Sequence, residues 1–161
     1  MNYPRHVHVE NSRDFRTFRF LGTGSNRTSQ KIVQFTPTGR RGIYNLALGD
    51  QVDGKYFDDF SMNENGDCDK VLASVVSTVH VFLDRYPRRT VVFHGSTPAR
   101  TRLYRRAVHH ASSELEKVFD IMGLVPLEEG RLGLRKYEPE LNYVAFLVRR
   151  KLFGDPPPAP P

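Results

Sequence analysis

The feature that most constrains the fold is the stretch at 90–103, TVVFHGSTPARTRL, where signals for a buried strand, a turn and a helix start follow one another directly. Its first four residues form an apolar run rich in β-branched side chains, which is typical of a buried strand. Pro98 suits the first helical position, where a missing N–H costs no helical hydrogen bond. Thr97 before it can accept hydrogen bonds from free backbone N–H groups. The stretch therefore predicts a strand that leads through a short turn into a helix.

The junction between this strand and this helix is a candidate anion site. The start of a helix offers free N–H groups and the positive end of the helix dipole, and Arg100 and Arg102 are close in sequence. An ordinary capped turn without a ligand would give the same pattern. If the junction binds an anion, the candidate binding residues are His94, Gly95, Ser96, Thr97, Arg100, Arg102, Tyr104, Arg105 and Arg106.

The segments before the junction favour antiparallel strands followed by a helix. Apolar-rich runs at 15–21, 31–36 and 43–48 are separated by Gly-rich and Pro-rich segments, so we expect strands joined by hairpin loops. A shorter strand is expected near 55–60. Apolar residues then recur with helical spacing from Asp67 to Tyr86. Because this helix separates two strands, the strand at 90–94 is expected to align parallel with an earlier one.

The segments after the junction favour a long second helix and two more strands. A helix from Pro98 to Met122 that Gly123 ends is predicted by apolar residues that fall on one side of it: Leu103, Ala107, Ala111, Leu115, Val118 and Met122. A short strand is expected near 132–137 and a final strand over 142–149. The predicted fold is α+β, with a mixed, mainly antiparallel sheet, N-terminal hairpins and two principal helices packed on the sheet. The order of elements is also compatible with a ribonuclease-H-like sheet.

A chain of 161 residues is long enough for one domain with a substantial core. We expect an irregular N-terminal segment over 1–14 with at most an edge strand at 7–9, a single domain over 15–152, and a disordered tail over 153–161. The tail is mostly proline and is expected to be extended, with a weak resemblance to a polyproline ligand.

Composition limits the class of protein. Hydrophobic content of 39% and charged content of 26% are ordinary for a folded protein, and no apolar run approaches the roughly 20 residues that span a bilayer. The N-terminus lacks the apolar core of a secretion signal, so we expect a cytoplasmic protein with no membrane partner. The single cysteine, Cys68, excludes an internal disulfide.

No metal or cofactor is expected. The acidic segment 49–66 imitates the first positions of a calcium loop, but Leu72 occupies the twelfth position, where a glutamate is needed. A solvated turn explains four nearby carboxylates at least as well as magnesium binding does. These carboxylates are Asp58, Asp59, Asp67 and Asp69.

The charge balance permits a polyanionic partner. There are 24 Lys and Arg against 18 Asp and Glu, a formal net charge of +6. On the second predicted helix, basic residues fall on one stripe. A solvated helix face would give the same stripe, but it begins beside the candidate anion site. Its residues are Arg102, Arg106, His109 and Ser113, with Arg105 and His110 beside it.

Three sequence blocks resemble a bacterial family of unknown function, made of small single-domain proteins. The first two blocks are YNLALGD at 44–50 and NGD at 65–67 followed by KVLA at 70–73. The third and most specific is FHGST at 93–97 followed by RTRLY at 100–104. Similar helix and Ser/Arg/Leu-Tyr blocks occur loosely in some uncharacterised phage-encoded proteins. The resemblance covers roughly 15–150 and implies one compact domain, but no activity.

Three functions are compatible with the sequence. The first is binding of a phosphate-bearing ligand, nucleic acid or nucleotide, at 94–106, with Tyr104 stacking on a base. The second is a protein-interaction subunit, such as an antitoxin, whose arginines contact acidic groups of a partner. The third is a metal-independent nuclease of a defence or toxin system, with His94, His109 or His110 as general acid or base and Arg102 stabilising phosphorane charge. The sequence leaves the ligand, any catalysis and the oligomeric state open.

Overall fold

The computed structural model describes residues 9–23, 28–52, 55–57, 67–95 and 97–151. Several sequence-based predictions lie wholly or partly outside these residues. They are the N-terminal segment up to residue 8 with Val7 and His8 of its edge strand, residues 58–60 of the short strand, the metal-ligating set that includes Asp58 and Asp59, and the tail over 153–161. Ser96, in the middle of the candidate site, also lies outside them.

Two helices and nine strands form the described part of the chain. The strands are β1 (Glu10–Asn11), β2 (Thr17–Thr23), β3 (Thr28–Pro37), β4 (Ile43–Val52), β5 (Lys55–Phe57), β6 (Thr90–Phe93), β7 (Phe119–Pro126), β8 (Leu132–Lys136) and β9 (Ala145–Arg150). The helices are α1 (Asp67–Arg85) and α2 (Pro98–Leu115), and a 3-10 turn covers Glu128–Gly130.

The strands form one mixed, mostly antiparallel sheet in the order β1-β2-β3-β4-β6-β9-β7-β8, with β5 paired to β4. The parallel pair is β4 with β6, in which Ile43 lies opposite Thr90 and Asn45 opposite Val92. The predicted α+β class and the parallel placement of the strand after α1 are therefore confirmed. The three antiparallel strands before α1 are β2, β3 and β4. A ribonuclease-H-like sheet would place β6 beside the first of them, β2, whereas here β6 lies beside the last, β4.

The second helix is shorter than predicted. The sequence favoured a helix from Pro98 to Met122, but α2 ends at Leu115 and β7 begins at Phe119. Alternate residues of β7 are buried, which is the two-residue period of a strand. Gly123 therefore does not end a helix. It lies within β7, opposite Phe146 of β9 and Arg135 of β8.

Both helices pack on one face of the sheet. On α1, Phe82 stacks on Phe35 of β3, with the ring centroids 4.3 Å apart and the planes 5° apart. On α2, Tyr104 meets Phe93 of β6 edge to face at 5.4 Å. Burying such large apolar side chains is the main favourable term in folding. The core therefore fixes where β6 ends and where α2 begins.

One polar pair lies within this apolar layer. Lys31 of β3 and Asp50 of β4 are direct cross-strand partners, and Lys31 Nζ donates to Asp50 Oδ1 over 2.6 Å. Their side chains are only 4% and 9% exposed. A buried charge is tolerated only when it is paired or hydrogen-bonded, and this pair meets that condition.

Candidate functional site

The candidate site lies at the carboxyl end of β6. Because α1 ends a few residues before β6 begins, α1 runs back along the sheet and its first turn lies toward this same end. Helix α2 starts here as well. The carboxyl ends of parallel strands are the usual place for ligands in sheets covered by helices, since loops and helix starts converge there. The fold therefore brings the residues of the 94–106 junction to a suitable edge.

Gly95 determines how closely the junction folds onto α2. A Cβ at this position would lie 2.2 Å from the backbone nitrogen of Thr101 and 2.7 Å from the Cβ of Arg100. Only glycine permits that approach, because backbone atoms of a helix cannot move aside. The glycine of the predicted site is thus a packing residue that sets the position of the first turn of α2.

The backbone N–H groups at the start of α2 are largely used within the chain. Thr97 Oγ1 accepts from the Arg100 N–H at 3.2 Å, and the Thr101 N–H donates to the Thr97 carbonyl at 3.0 Å. Pro98 carries no N–H. The predicted cap at Thr97 is confirmed. A phosphate at this turn would have to be held mainly by side chains, because Pro98 has no N–H and the N–H groups of Arg100 and Thr101 already donate within the described residues.

Basic side chains project from the exposed surface of α2. Arg102 and Arg106 are one helical turn apart and both are exposed. His109 and His110 continue the exposed surface, with their ring centroids 5.8 Å apart. His94 and Thr97, before the helix, are exposed too, whereas Arg100 is half-buried. The structure therefore brings six of the predicted site residues to one region: His94, Gly95, Thr97, Arg100, Arg102 and Arg106.

Tyr104 and Arg105, two other residues of the predicted site, are held by contacts within the chain. Tyr104 is only 7% exposed and its ring packs against Phe93, so stacking on a base would require it to leave the core. Arg105 donates to Asn142 Oδ1 at 2.6 Å and to the Pro139 carbonyl at 3.2 Å. It thereby ties α2 to the segment between β8 and β9.

Another contact joins the end of the basic surface to that segment. Tyr137 Oη lies 3.4 Å from His109 Nδ1. Burial raises the pKa of Tyr137 above its ordinary value, with the neighbouring Tyr143 adding to the effect. The Tyr137 hydroxyl therefore keeps its proton at neutral pH and can donate to His109 when that nitrogen is unprotonated.

The structure also reveals a basic region that the sequence reasoning missed. Seven of the described arginines lie at the opposite edge of the sheet, in or next to the segments that precede β2, β4 and β6. They are Arg13, Arg16, Arg40, Arg41, Arg85, Arg88 and Arg89. The sequence signal was present in the pairs Arg40-Arg41 and Arg88-Arg89, but they are 47 or more positions apart. Only the pairing of β4 with β6 brings them together.

The described residues hold neither a metal-ligand cluster nor a membrane-spanning helix. Within them, no group of three or more His, Cys, Asp or Glu side chains is placed to hold a metal ion. Neither described helix is both long and apolar enough to cross a membrane.

Comparison with protein families identifies the chain. The model of DUF6934, a family of unknown function, matches residues 2–151. The chain belongs to the DUF6934 family. The resemblance expected from the three sequence blocks is thereby confirmed. Comparison with curated proteins and with solved structures gave no match. Because the family has no known function, the function has to be argued from the geometry.

Proposed function

We propose that this DUF6934 protein binds nucleic acid through the phosphate backbone, at the surface formed by the 94–106 junction and the exposed side of α2. The observation that carries this proposal is the placement of Arg102 and Arg106, which are exposed and one turn apart on a helix that starts at the carboxyl end of β6. Arginine suits phosphate because its planar fork donates two parallel hydrogen bonds.

The geometry favours a polynucleotide over a single nucleotide. A mononucleotide site normally cradles its phosphate with free backbone N–H groups, and here the first turn of α2 already uses those of Arg100 and Thr101. The exposed Arg102 and Arg106 are instead about 6 Å apart along the helix axis, at 1.5 Å per residue. Two cations at this spacing match successive phosphates of a strand better than they match one phosphate.

Binding is best tested by fluorescence anisotropy with labelled single-stranded RNA and DNA of about 20 nucleotides over a range of salt concentrations. We expect affinity to fall steeply as salt rises, because each neutralised phosphate releases counterions. The variant Arg102→Ala/Arg106→Ala should lower the slope of log K against log salt by about 1 to 2.

The matched control is Arg131→Ala/Arg135→Ala, which removes the same charge from exposed positions in or beside β8. This control should keep the wild-type salt slope. If the wild-type protein shows no salt-sensitive association with either nucleic acid, the proposal is wrong. If the salt slope of the control falls as much as that of the α2 variant, the binding depends only on net charge and the assignment to α2 fails.

A second candidate, a protein-interaction subunit such as an antitoxin, is favoured by a different observation. Strand β8 lies at the edge of the sheet, and its Leu132 and Leu134 are 54% and 56% exposed. Exposed apolar side chains on an edge strand are suited to pairing with another chain. Co-purification with the product of the neighbouring gene tests this candidate, and Leu132→Lys/Leu134→Lys should abolish co-elution without changing nucleic-acid binding.

A further inference from the structure

The seven arginines opposite the candidate site, here called the arginine edge, are brought together by the topology. Because β4 and β6 are adjacent and parallel, the segments that lead into them lie side by side. The Thr90 N–H donates to the Gly42 carbonyl at 2.9 Å. Arg40 and Arg41 immediately precede Gly42, and Arg88 and Arg89 immediately precede Thr90. The two segments that carry four arginines of the edge therefore lie side by side.

The turn between β1 and β2 completes the arginine edge. Tyr86, just after α1, donates its hydroxyl hydrogen to the Asp14 carbonyl oxygen at 2.6 Å. The guanidinium of Arg85 lies 5.9 Å from the centre of the Phe15 ring. Both contacts fasten the β1–β2 turn, which carries Arg13 and Arg16, to the end of α1. The three segments thus form one continuous basic surface.

Aromatic rings hold two of these arginines in place. The guanidinium of Arg16 lies 5.2 Å from the centre of the Tyr44 ring and 5.9 Å from that of Tyr86. Arg16 also donates to the Tyr44 hydroxyl at 3.1 Å. The guanidinium of Arg89 lies 6.0 Å from the same Tyr44 ring. Cation–π contacts of this kind orient the cations before any ligand arrives.

None of the seven arginines of the arginine edge forms an ion pair within the described residues. The ion pairs found there join Lys31 to Asp50, Arg149 to Asp120 and Arg150 to Asp84, and include none of the seven arginines. The Nε of Arg16 is buried and has no hydrogen-bond acceptor among these residues. Two guanidinium groups that share one ring repel each other, so an anion placed between them would be attracted strongly.

The carboxylate of Asp14 lies beside Arg16 of this surface. Asp14 accepts hydrogen bonds from the Ser12 hydroxyl and the Arg16 backbone N–H, and these hold its pKa below the ordinary value. Asp14 therefore stays ionised and offsets part of the charge. Five of the seven arginines are exposed: Arg13, Arg40, Arg41, Arg85 and Arg88.

Phosphate is a better match for the arginine edge than an acidic protein surface. Its basic residues are all arginine, whose fork binds phosphate oxygens in pairs. A protein interface would also need an apolar centre. Among the described residues, four of the six exposed large apolar side chains lie at the β7–β8 hairpin or just before β9, away from these arginines: Leu127, Leu132, Leu134 and Val144.

We propose that the arginine edge is a second surface that binds the phosphodiester backbone of nucleic acid, separate from the surface on α2. The Arg40-Arg41 hairpin and the Arg88-Arg89 segment hold the strand, and Arg16 and Arg89, oriented by Tyr44, contact the central phosphate. This inference does not depend on the role proposed for α2, because the two surfaces share no residue.

The test is the same anisotropy titration with Arg40→Glu/Arg41→Glu, which alters exposed residues of a hairpin turn. Arg131→Glu/Arg135→Glu is the matched control, since it makes the same change in charge on or beside β8. At about 100 mM salt we expect the hairpin variant to lose tenfold or more in affinity and about 2 in salt slope, while the control keeps the wild-type slope. Circular dichroism melting should show that both variants remain folded.

Three results would overturn the inference. The first is a hairpin variant that binds like its control. The second is wild-type protein that binds polyglutamate of equal charge as tightly as the oligonucleotide, because the partner would then be an acidic chain. The third is unchanged binding by Arg16→Ala, a second variant that removes a central contact. Loss of binding in the α2 variant alone would support the first surface and reject this one, so the two proposals can fail separately.

Discussion

At the scale of single residues, the clearest distinction is between side chains that hold the junction and side chains that face solvent. The sequence placed Leu103 on the apolar side of α2 and Tyr104 on the binding side. The buried residues of α2 are Tyr104, Ala107, Val108, Ala111 and Leu115. Ala107, Ala111 and Leu115 were predicted as apolar-face residues, so the error was a shift of one residue at the start of the helix. A tyrosine fits either an apolar or a polar face of a helix, so the position of Tyr104 in the sequence did not show which face of α2 it lies on.

Arg105 could not have been assigned from the sequence. Its acceptors, Asn142 and the Pro139 carbonyl, are more than 30 positions away. Arg102 has the same chemistry and a similar place in the sequence pattern, but it is exposed. Which of the two holds a loop and which faces solvent depends on the rotation of α2 about its axis.

Gly95→Ala tests the close approach of the junction to α2. The added Cβ would lie 2.2 Å from the Thr101 backbone nitrogen, so the helix start must shift. We expect a loss of about 2 kcal/mol in the free energy of unfolding, measured by urea denaturation. Gly39→Ala is the control, because nothing lies within 4 Å of its added Cβ, and it should change stability by less than about 0.5 kcal/mol. Equal effects of the two changes would contradict this account.

His80 should make stability depend on pH. Burial lowers its pKa below 6.5, and its ring packs against Phe119 at 4.7 Å, while Asp84 acts in the opposite direction and Arg150 in the same one. The folded state holds the His80 proton less tightly than the unfolded state does. The contribution of His80 to the free energy of unfolding is therefore complete above the pKa of the unfolded state, and it is lost as pH falls toward the pKa of the folded state.

We therefore expect the wild-type protein to lose stability relative to His80→Gln as pH is lowered from about 7.5 to 5.5, a range around the ordinary histidine pKa. Thermal melts of both proteins at each pH measure this difference. A difference that stays constant over the range would mean that His80 titrates alike in both states. NMR titration of the ring protons gives the pKa directly and should place it below 6.5.

At the scale of elements, the sequence predicted strands well and the end of α2 poorly. Strands β2, β3, β4, β6, β8 and β9 all overlap the predicted runs. The residues 119–126, FDIMGLVP, were assigned in part to the helix because Val118 and Met122 continue its spacing. Their alternating burial shows that the two-residue period is the correct one. Over so short an apolar run both periods fit, and sheet pairing with β8 and β9 decides between them.

The Lys31–Asp50 pair links β3 to β4 inside the apolar layer. Lys31→Met should cost about 3 kcal/mol, because it removes the positive charge beside the buried Asp50 carboxylate. The double variant Lys31→Met/Asp50→Leu should recover much of that loss, since both charges are then absent. Urea denaturation of the two single variants and the double variant completes the cycle. Additive losses would mean that the pair is not coupled.

Two substitutions of Thr97 change the stability of α2 and the charge at its start independently. Thr97→Ala removes the side-chain acceptor for the Arg100 N–H and should cost about 1 kcal/mol. Thr97→Asp keeps an acceptor and suits the helix dipole, so it should be as stable as wild type. The same aspartate should weaken binding of oligonucleotides, because its negative charge lies beside the proposed phosphate surface. Unfolding and anisotropy measurements on both variants test this, and tight binding by Thr97→Asp would reject a phosphate site at the junction.

At the scale of the whole molecule, the sheet order determines which basic residues become neighbours. The sequence predicted that β6 is parallel to an earlier strand but did not say which one. Pairing with β4 puts the Arg40-Arg41 hairpin beside Arg88-Arg89, so the arginine edge depends on a choice that local patterns do not encode. The 94–106 junction was predictable because it is continuous in sequence. The arginine edge was not, because its parts lie in three separate segments.

The two proposed surfaces lie toward opposite ends of the helical layer, and this separation predicts how binding depends on strand length. Helix α1 runs between the two ends and its 19 residues span about 28 Å. At 3.4 Å per nucleotide, a strand needs about eight nucleotides to cover that distance. Once one surface holds the strand, the other binds it at high effective concentration. Wild-type affinity should therefore rise sharply between strands of about 6 and about 15 nucleotides.

That rise should be absent when either surface is removed. Arg102→Ala/Arg106→Ala and Arg40→Glu/Arg41→Glu should each show only the gradual increase expected from more binding registers on a longer strand, while Arg131→Glu/Arg135→Glu keeps the sharp rise. Anisotropy titrations with strands of graded length, at one salt concentration, measure all four proteins. The same sharp rise in every protein would show that one strand does not join the two surfaces, because removing a surface must remove the gain that depends on reaching it.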